Sequence, residues 1–277
     1  MFDREITLGH SPDPDDAFMF YALAEGKIDT HGLRFRHIIE DIETLNRRAM
    51  NAELDVTAVS IHAYAYVLEQ YALLQSGASM GDNYGPLVIA RRPIPLGELK
   101  HSRIAVPGLM TTAYLTLRLC LGEIDSIVVP FDQIMDAVQE GKAEAGLLIH
   151  EGQLTYSARG FNKIIDLGEW WKSETGLPLP LGGNAIKKSL GPELIGVIST
   201  LLRASIEYGL ANRKVAVRHA MAYGRGMEEG LTDTFVGMYV NDYTIDYGEQ
   251  GRQGVRLLLD RGFKQGIIPT PVNLEFV

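Results

Sequence analysis

The sequence predicts an α/β protein of two lobes, and three features of the chain predict it. Short β-like runs alternate with helical patterns almost throughout, which is typical of sheets covered by helices. The length of 277 residues fits about two domains. Proline-punctuated segments at 93–100 and 177–183 interrupt the alternation and are interpreted as crossings between lobes. We therefore expect residues 1–92 and 184–277 to form the larger lobe and 93–183 a smaller inserted lobe, with a ligand cleft between the two.

The order of the elements follows from hydrophobic periodicity. In the larger lobe the predicted strands are 6–9, 33–39, 55–60, 71–74 and 85–91, with helices from about Pro14, over 43–51 and over 62–70. The inserted lobe has predicted strands at 103–106, 126–129, 145–149 and 163–166, and helices over 112–121 and 132–140. Four further helices, 194–212, 215–223, 232–240 and 250–261, are expected to complete the larger lobe. Most strands should pair in parallel.

Composition and charge exclude several classes of function. Hydrophobic residues make up 46% and charged residues 22%, ordinary values for a globular protein. The net charge of -9 disfavours nucleic acid, whose phosphates require a basic surface. We find no signal-peptide pattern and no apolar run near the roughly 18 residues of a membrane span. We expect a cytoplasmic protein with neither a membrane nor a nucleic-acid partner; a homodimer is possible in principle.

His150 ends an apolar run and is the most informative residue for chemistry. Histidine accepts a proton near neutral pH, because its ordinary pKa is roughly 6.5. At the carboxyl end of a parallel strand it would face the crevice where open α/β sheets bind ligands. The alternative is a structural histidine that caps the strand and starts the next helix. The residues alone leave both interpretations open.

The segment 11–16 follows the first predicted strand and contains three carboxylates. Pro14 suits the first position of a helix and Asp13 its N-cap, which is a structural interpretation. Because a strand-to-helix turn of this kind faces a ligand crevice, Ser11 and Asp16 are also candidate binding residues. No further cluster with ligand spacing follows, so we expect no metal.

Corresponding turns follow two other strands. Thr111 and Thr112 follow a glycine-containing turn and begin a helix, an arrangement that attracts carboxylates and phosphates, although N-capping explains one of them. Ser60 ends the third strand.

Cys120 lies among leucines and is expected to be a buried apolar residue rather than a nucleophile. Trp170 and Trp171 point about 100° apart on a helix, so one is expected in the core.

Several motifs resemble one known enzyme family along the whole chain. They occupy residues 11–23, 40–46, 106–114, 149–156, 166–171, 175–182 and 276–277. Together they resemble the 1,4-dihydroxy-6-naphthoate synthase family of the futalosine route to menaquinone.

The resemblance implies a type II periplasmic-binding-protein-like fold used by a cytoplasmic enzyme. It implies a carbon–carbon lyase that cleaves cyclic dehypoxanthine futalosine to 1,4-dihydroxy-6-naphthoate, releases a three-carbon fragment and needs no cofactor. His150 corresponds to the proposed general base, and Ala58, Val59, Ser60, Thr111 and Thr112 to positions that contact the anionic substrate. The acid that returns a proton is not identified, and Tyr156, Glu151 and Asp16 are the candidates.

The chain departs from this family at the first turn. Other members carry Cys and Asn where this chain has Asp13 and Asp15, and Lys where it has Ala58. Two added acids and one lost base would weaken the binding of a carboxylate, since one charge at 4 Å is worth about 4 kcal/mol at an effective dielectric constant near 20. The alternatives are therefore a chorismate dehydratase-like enzyme and a non-catalytic binding protein of the same fold.

Overall fold

A computed structural model describes residues 2–277, and the elements follow the predicted alternation closely. The strands are β1 (Arg4–His10), β2 (Leu33–Ile39), β3 (Val56–Ser60), β4 (Tyr71–Leu73), β5 (Ser79–Gly81), β6 (Leu87–Ala90), β7 (Arg103–Val106), β8 (Asp125–Val128), β9 (Ala145–Leu148), β10 (Asn162–Asp166) and β11 (Leu179–Lys187). The helices are α1 (Pro14–Met19), α2 (Tyr21–Ala24), α3 (Ile42–Met50), α4 (Ile61–Tyr64), α5 (Leu96–Leu99), α6 (Thr112–Leu121), α7 (Ile134–Gln139), α8 (Gly152–Thr155), α9 (Leu167–Thr175), α10 (Pro192–Ala211), α11 (Arg213–Ala220), α12 (Glu229–Tyr239), α13 (Asp242–Ile245) and α14 (Gly248–Lys264). Short 3-10 turns occupy Phe131–Gln133, Tyr156–Arg159, Lys188–Leu190 and Met221–Tyr223.

The first sheet is mixed rather than parallel. Its strand order is β2-β1-β3-β11-β4, with β5 paired to β11 off this path. Strand β1 pairs in parallel with β2 and β3, whereas β11 runs antiparallel to β3 and β4. The segment 177–183 was predicted only as a crossing between lobes, and it also contains the start of a nine-residue strand. Its prolines are tolerated at the beginning of a strand, where one ladder hydrogen bond can be omitted.

The second sheet is mixed as well, in the order β10-β6-β9-β7-β8. Strand β7 pairs in parallel with β8 and β9, while β6 is antiparallel to β9 and β10. The helix predicted over 62–70 is also shorter than expected. It is limited to α4, and the chain continues through tight i to i−3 turns at residues 65–67.

The chain divides into two compact units whose boundaries differ from the predicted ones. The first comprises the residues up to Ser79, Gly182–Glu249 and Val272–Val277, and the second comprises Met80–Leu181 and Gln250–Pro271. Residues 80–92 and 250–271 thus leave the larger lobe to which the sequence assigned them. The first segment contains β6, which pairs with β9 and β10. The second contains Gly254 of α14, where an added Cβ would lie 2.9 Å from the Pro178 carbonyl oxygen.

Helix α10 supplies much of the core of the first unit. It is long and apolar enough to cross a membrane by length and composition alone. Its buried face, however, packs with residues of β1, β3 and β11, which is the behaviour of a core helix. The residues that share this core include Ile6, Leu8, Phe18, Val56, Ile186, Ile198, Leu202 and Ile206.

Candidate active site

In each unit, the predicted site residues lie at the carboxyl ends of neighbouring parallel strands. Ser11 follows β1 and Ser60 ends β3 in the first unit. Thr111 follows β7 and His150 follows β9 in the second. Within a unit, the carboxyl ends of adjacent parallel strands share one edge of the sheet, which is where open α/β sheets bind ligands.

Two backbone groups fix the tautomer of His150. The Nε2 atom lies 2.7 Å from the carbonyl oxygen of Phe131, which can only accept a hydrogen bond. The backbone N–H of Gly152 donates to Nδ1 at 3.0 Å. These partners assign the proton to Nε2 and the lone pair to Nδ1. The His150 side chain is 5% exposed, so its orientation is set by protein groups.

The carboxylate of Glu151 lies beside the nitrogen that carries the lone pair. Its Oε2 atom is 3.4 Å from Nδ1 of His150, and both residues are buried. A proton taken up at Nδ1 would therefore be adjacent to a negative charge, which offsets the positive charge of the imidazolium.

Sequence reasoning missed Phe131 and Gly152, the two partners of His150. Both act through backbone atoms, and Phe131 is 19 residues away along the chain. A Cβ at Gly152 would lie 2.8 Å from Cε1 of His150, which explains the absence of a side chain there. The glycine two residues after His150 is the sequence signal from which the contact between Gly152 and His150 could have been predicted.

Thr111 and Thr112 both use their hydroxyl groups inside the second unit. Thr111 is the N-cap of α6: its Oγ1 accepts from the Tyr114 amide at 3.2 Å and donates to the Gly108 carbonyl at 2.9 Å. Thr112 donates to the Leu181 carbonyl at 2.5 Å. The group at this position that can attract an anion is thus the amide end of the helix, with its dipole. Substrate contact by these two residues stays a prediction.

The turn at Ser11 is organised around the carboxylate of Asp16. The backbone N–H of Ser11 donates to Asp16 at 2.7 Å, and the Ser11 hydroxyl donates to Asp13 at 2.9 Å. Burial raises the pKa of Asp16 to about 6, although the bonds from Ser11 act in the opposite direction. Burial, with the neighbouring Asp16 and Asp13 carboxylates, raises the pKa of Asp15 well above its ordinary value.

This turn carries less negative charge than the sequence alone indicates. Arg225 donates from both terminal nitrogens to one oxygen of Asp13 at 3.1 Å, and also to the Pro12 carbonyl. Asp13 therefore occupies the N-cap position of α1 without a side-chain capping bond. The charge of Asp13 is paired with that of Arg225, and the raised pKa of Asp15 favours its neutral form. The turn therefore carries less negative charge than three ionised carboxylates would give it. Arg225 lies 212 residues away, and no local pattern could have revealed it.

His10 supports the same turn from the end of β1. Its Nδ1 lies 3.1 Å from the Ser11 carbonyl oxygen, so Nδ1 carries the proton. Its Nε2 then accepts from Nδ1 of His37, 3.0 Å away. Burial and the nearby His37 lower the pKa of His10 to about 4, which keeps this arrangement uncharged at neutral pH.

The three predicted positions at the end of β3 differ in what they can offer a ligand. Ala58 and Val59 are buried, and Val59 is fully enclosed, so neither presents a polar side chain. Ser60 presents a hydroxyl group that is held by Asn46 of α3. The Ser60 amide donates to Asn46 Oδ1 at 2.9 Å, and Asn46 Nδ2 donates to Ser60 Oγ at 3.0 Å.

Of the remaining sequence candidates, Trp171 lies in the core, whereas Cys120, which was predicted to be buried, is half-buried. Burial raises the pKa of the Cys120 thiol to about 11, which argues against a nucleophile. Trp171 is fully buried and donates to the Pro178 carbonyl at 3.1 Å, whereas Trp170 is partly exposed, so the prediction of one core tryptophan is confirmed. Across residues 2–277, no group of three or more His, Cys, Asp or Glu side chains could hold a metal ion.

Comparison with known proteins identifies the family. A family model described as menaquinone biosynthesis matches residues 6–264. A Thermus thermophilus protein named 1,4-dihydroxy-6-naphthoate synthase is 39% identical over 96% of this chain and 97% of its own. A crystal structure from Archaeoglobus fulgidus is 45% identical, covers 95% of this chain and 98% of its own, and superposes with a TM-score of 0.92.

The wider structural likeness defines the fold. The alkanesulfonate-binding protein of Xanthomonas axonopodis has a TM-score of 0.72 at 10% identity, with 97% of this chain and 95% of its own covered. At that identity the likeness shows the fold alone, and it confirms the predicted periplasmic-binding-protein type. Because the family model and the curated relative both span nearly the whole chain, this chain belongs to the 1,4-dihydroxy-6-naphthoate synthase family of menaquinone biosynthesis.

Proposed function

We propose that this protein cleaves cyclic dehypoxanthine futalosine to 1,4-dihydroxy-6-naphthoate, as a carbon–carbon lyase with His150 as its general base. The name of the curated relative supports the reaction. The single observation that carries the role of His150 is its tautomer, with the lone pair on Nδ1 and the proton on Nε2 donated to Phe131. A base needs a lone pair in a fixed direction, and the lone pair on Nδ1 is fixed in the direction of the Gly152 N–H.

The reaction needs one base and one breaking carbon–carbon bond. Nδ1 of His150 removes a proton from the sugar-derived part of the substrate, and the released electron pair breaks the carbon–carbon bond. The three-carbon fragment leaves with the electrons of that bond and takes up the proton from the His150 imidazolium. The fused ring gains aromaticity in the product, which favours cleavage. General base catalysis of this kind contributes about a hundred- to ten-thousand-fold in rate.

Proton uptake requires a local change at Gly152. Its N–H donates to the lone pair of Nδ1, so this bond has to lengthen before Nδ1 can reach a substrate proton. The Phe131 carbonyl can keep the ring oriented during that change through its bond to Nε2. Glu151 then lies close enough to balance the imidazolium that forms.

We propose one hydrogen-bond donor group for the substrate in each unit, taken separately. One is the amino end of α6, where Thr111 and Thr112 begin the helix. The other is the Ser60 hydroxyl. None of these steps calls for a cofactor, and the proposed location of the protein is the cytoplasm.

Incubation of the purified protein with cyclic dehypoxanthine futalosine tests the proposed reaction. We expect equimolar 1,4-dihydroxy-6-naphthoate and a three-carbon product by liquid chromatography and mass spectrometry. Chorismate, supplied separately, should be left unchanged. Dehydration of chorismate would instead support the alternative enzyme, and tight binding of the cyclic substrate without turnover would support a binding protein.

A further inference from the structure

The proposed function gives no role to the motif at residues 40–46. Its first part is structural: Asp41 caps α3 by accepting from the Thr44 amide at 3.1 Å, and Glu40 pairs with Arg48 at 2.9 Å. Its last residue, Asn46, lies a turn further along α3 and is fully buried. A buried amide on a helix needs partners, since each unmet polar group costs about 1–3 kcal/mol.

The hydrogen bonds to Ser60 fix the orientation of the Asn46 amide. A backbone N–H can only donate, so the atom of Asn46 that faces the Ser60 amide at 2.9 Å must be Oδ1. The other amide atom, 3.0 Å from Ser60 Oγ, is therefore the nitrogen, and it can only donate. The assignment follows from the donor–acceptor inventory rather than from the shape of the side chain.

This orientation also determines what Ser60 can do. Because Oγ of Ser60 accepts from Asn46, it cannot donate its own proton to the same nitrogen. Within residues 2–277, no acceptor receives that proton. The hydroxyl belongs to a residue that is 3% exposed and that lies at the carboxyl end of β3, beside the turn that follows β1. It is thus held as a hydrogen-bond donor at the edge where ligands bind.

We propose that Asn46 is a positioning residue that presents the Ser60 hydroxyl as a dedicated donor to an anionic or carbonyl oxygen of the substrate. The inference rests on the proposed function, because it assigns the donor to the substrate of the proposed reaction. It predicts selectivity for acceptor oxygens over donor groups at this position. It also gives the motif 40–46 a role in binding through its last residue.

Asn46→Asp is the sharpest test, since it keeps the side-chain shape and reverses the hydrogen bond. One carboxylate oxygen still accepts from the Ser60 amide, but the other now accepts the Ser60 hydroxyl proton and withdraws it from the ligand. We expect the Kd for 1,4-dihydroxy-6-naphthoate, measured by calorimetry, to rise about tenfold. Ser60→Ala should raise it by a similar factor, and the double variant should be no weaker than either single variant.

The controls separate positioning from general loss of structure. Asn46→Ala removes the same contacts without a buried charge and should show the same coupling to Ser60→Ala. Ser205→Ala removes another buried hydroxyl of the same unit, which donates to the Met19 carbonyl at 2.7 Å. It should lower the melting temperature and leave the Kd within about twofold.

Three results would overturn the inference or the function beneath it, and they are distinguishable. Additive effects of Asn46→Ala and Ser60→Ala, or an unchanged Kd in either, would show that Asn46 does not act through the hydroxyl. A wild-type protein that binds the naphthoate but never forms it would overturn the proposed reaction while the coupling stays measurable. A wild-type protein that does not bind the naphthoate would overturn both.

Discussion

Gly152→Ala perturbs the position of the His150 ring without changing any hydrogen-bonding atom. A Cβ at residue 152 would lie 2.8 Å from Cε1 of His150 and 3.1 Å from the terminal carbon of Met135. Ordinary contact begins near 3.4 Å, so the ring has to shift by about 0.6 Å. The methionine end can move aside, but the ring cannot shift without disturbing its 2.7 Å bond to Phe131.

The expected loss is kinetic more than thermodynamic. Misplacing a reacting group by about 1 Å costs about a hundredfold in rate, so a smaller shift should lower kcat by about tenfold or more. Overpacking costs about 1–3 kcal/mol, while alanine returns about 0.5–1 kcal/mol relative to glycine in a helix. The free energy of unfolding should therefore fall by no more than about 2.5 kcal/mol, and the variant should stay folded.

Steady-state assays of naphthoate formation, with urea unfolding of the same samples, measure both effects. Gly97→Ala is the matched control, because Gly97 lies in a helix of the same unit and an added Cβ meets nothing within 4 Å. That control should keep its kcat. If Gly152→Ala also kept kcat within about twofold, the placement of the His150 ring would not depend on Gly152 and the reasoning would fail.

Two further substitutions test the hydrogen bond of Thr112 and the raised pKa of Asp16. Thr112→Val removes the bond to the Leu181 carbonyl and should cost about 1–3 kcal/mol in urea unfolding, with Thr112→Ser recovering most of it; an unchanged midpoint would contradict the contact. Asp16 has its pKa raised to about 6, so its carboxyl group disfavours the folded state increasingly as pH rises from about 4 to about 6. Asp16→Asn should thus be equal in stability to wild type near pH 4 and gain up to about 3 kcal/mol by pH 7 in pH-dependent unfolding, whereas a constant difference would refute the raised pKa.

The sequence could predict the local elements because their signals are local. The runs 33–39 and 112–121 were bounded correctly from alternation and helical periodicity. His150 was placed after its strand for the same reason, since an apolar run that stops at a polar residue marks the strand end. The direction of strand pairing was harder to predict than the elements themselves. Strand β11 pairs with β3 across more than 120 residues, and the residues of neither strand indicate whether the pairing is parallel or antiparallel.

The site shows a second limit, which concerns partners. His150 was identified, but its neighbours contribute a carbonyl and an amide that every residue possesses. Arg225 compensates Asp13 from a distant part of the chain, so the charge of the turn could not be counted from residues 11–16 alone. Asn46 belonged to a recognised motif, yet its role depended on folding α3 against the end of β3.

The most direct test of the central claim, that His150 is the base, is kcat for His150→Gln. A glutamine amide can still donate to the Phe131 carbonyl, but it has no basic nitrogen. We expect kcat for naphthoate formation to fall about a hundred- to ten-thousand-fold, while the Kd for the naphthoate stays within about twofold. Turnover close to wild type would contradict it.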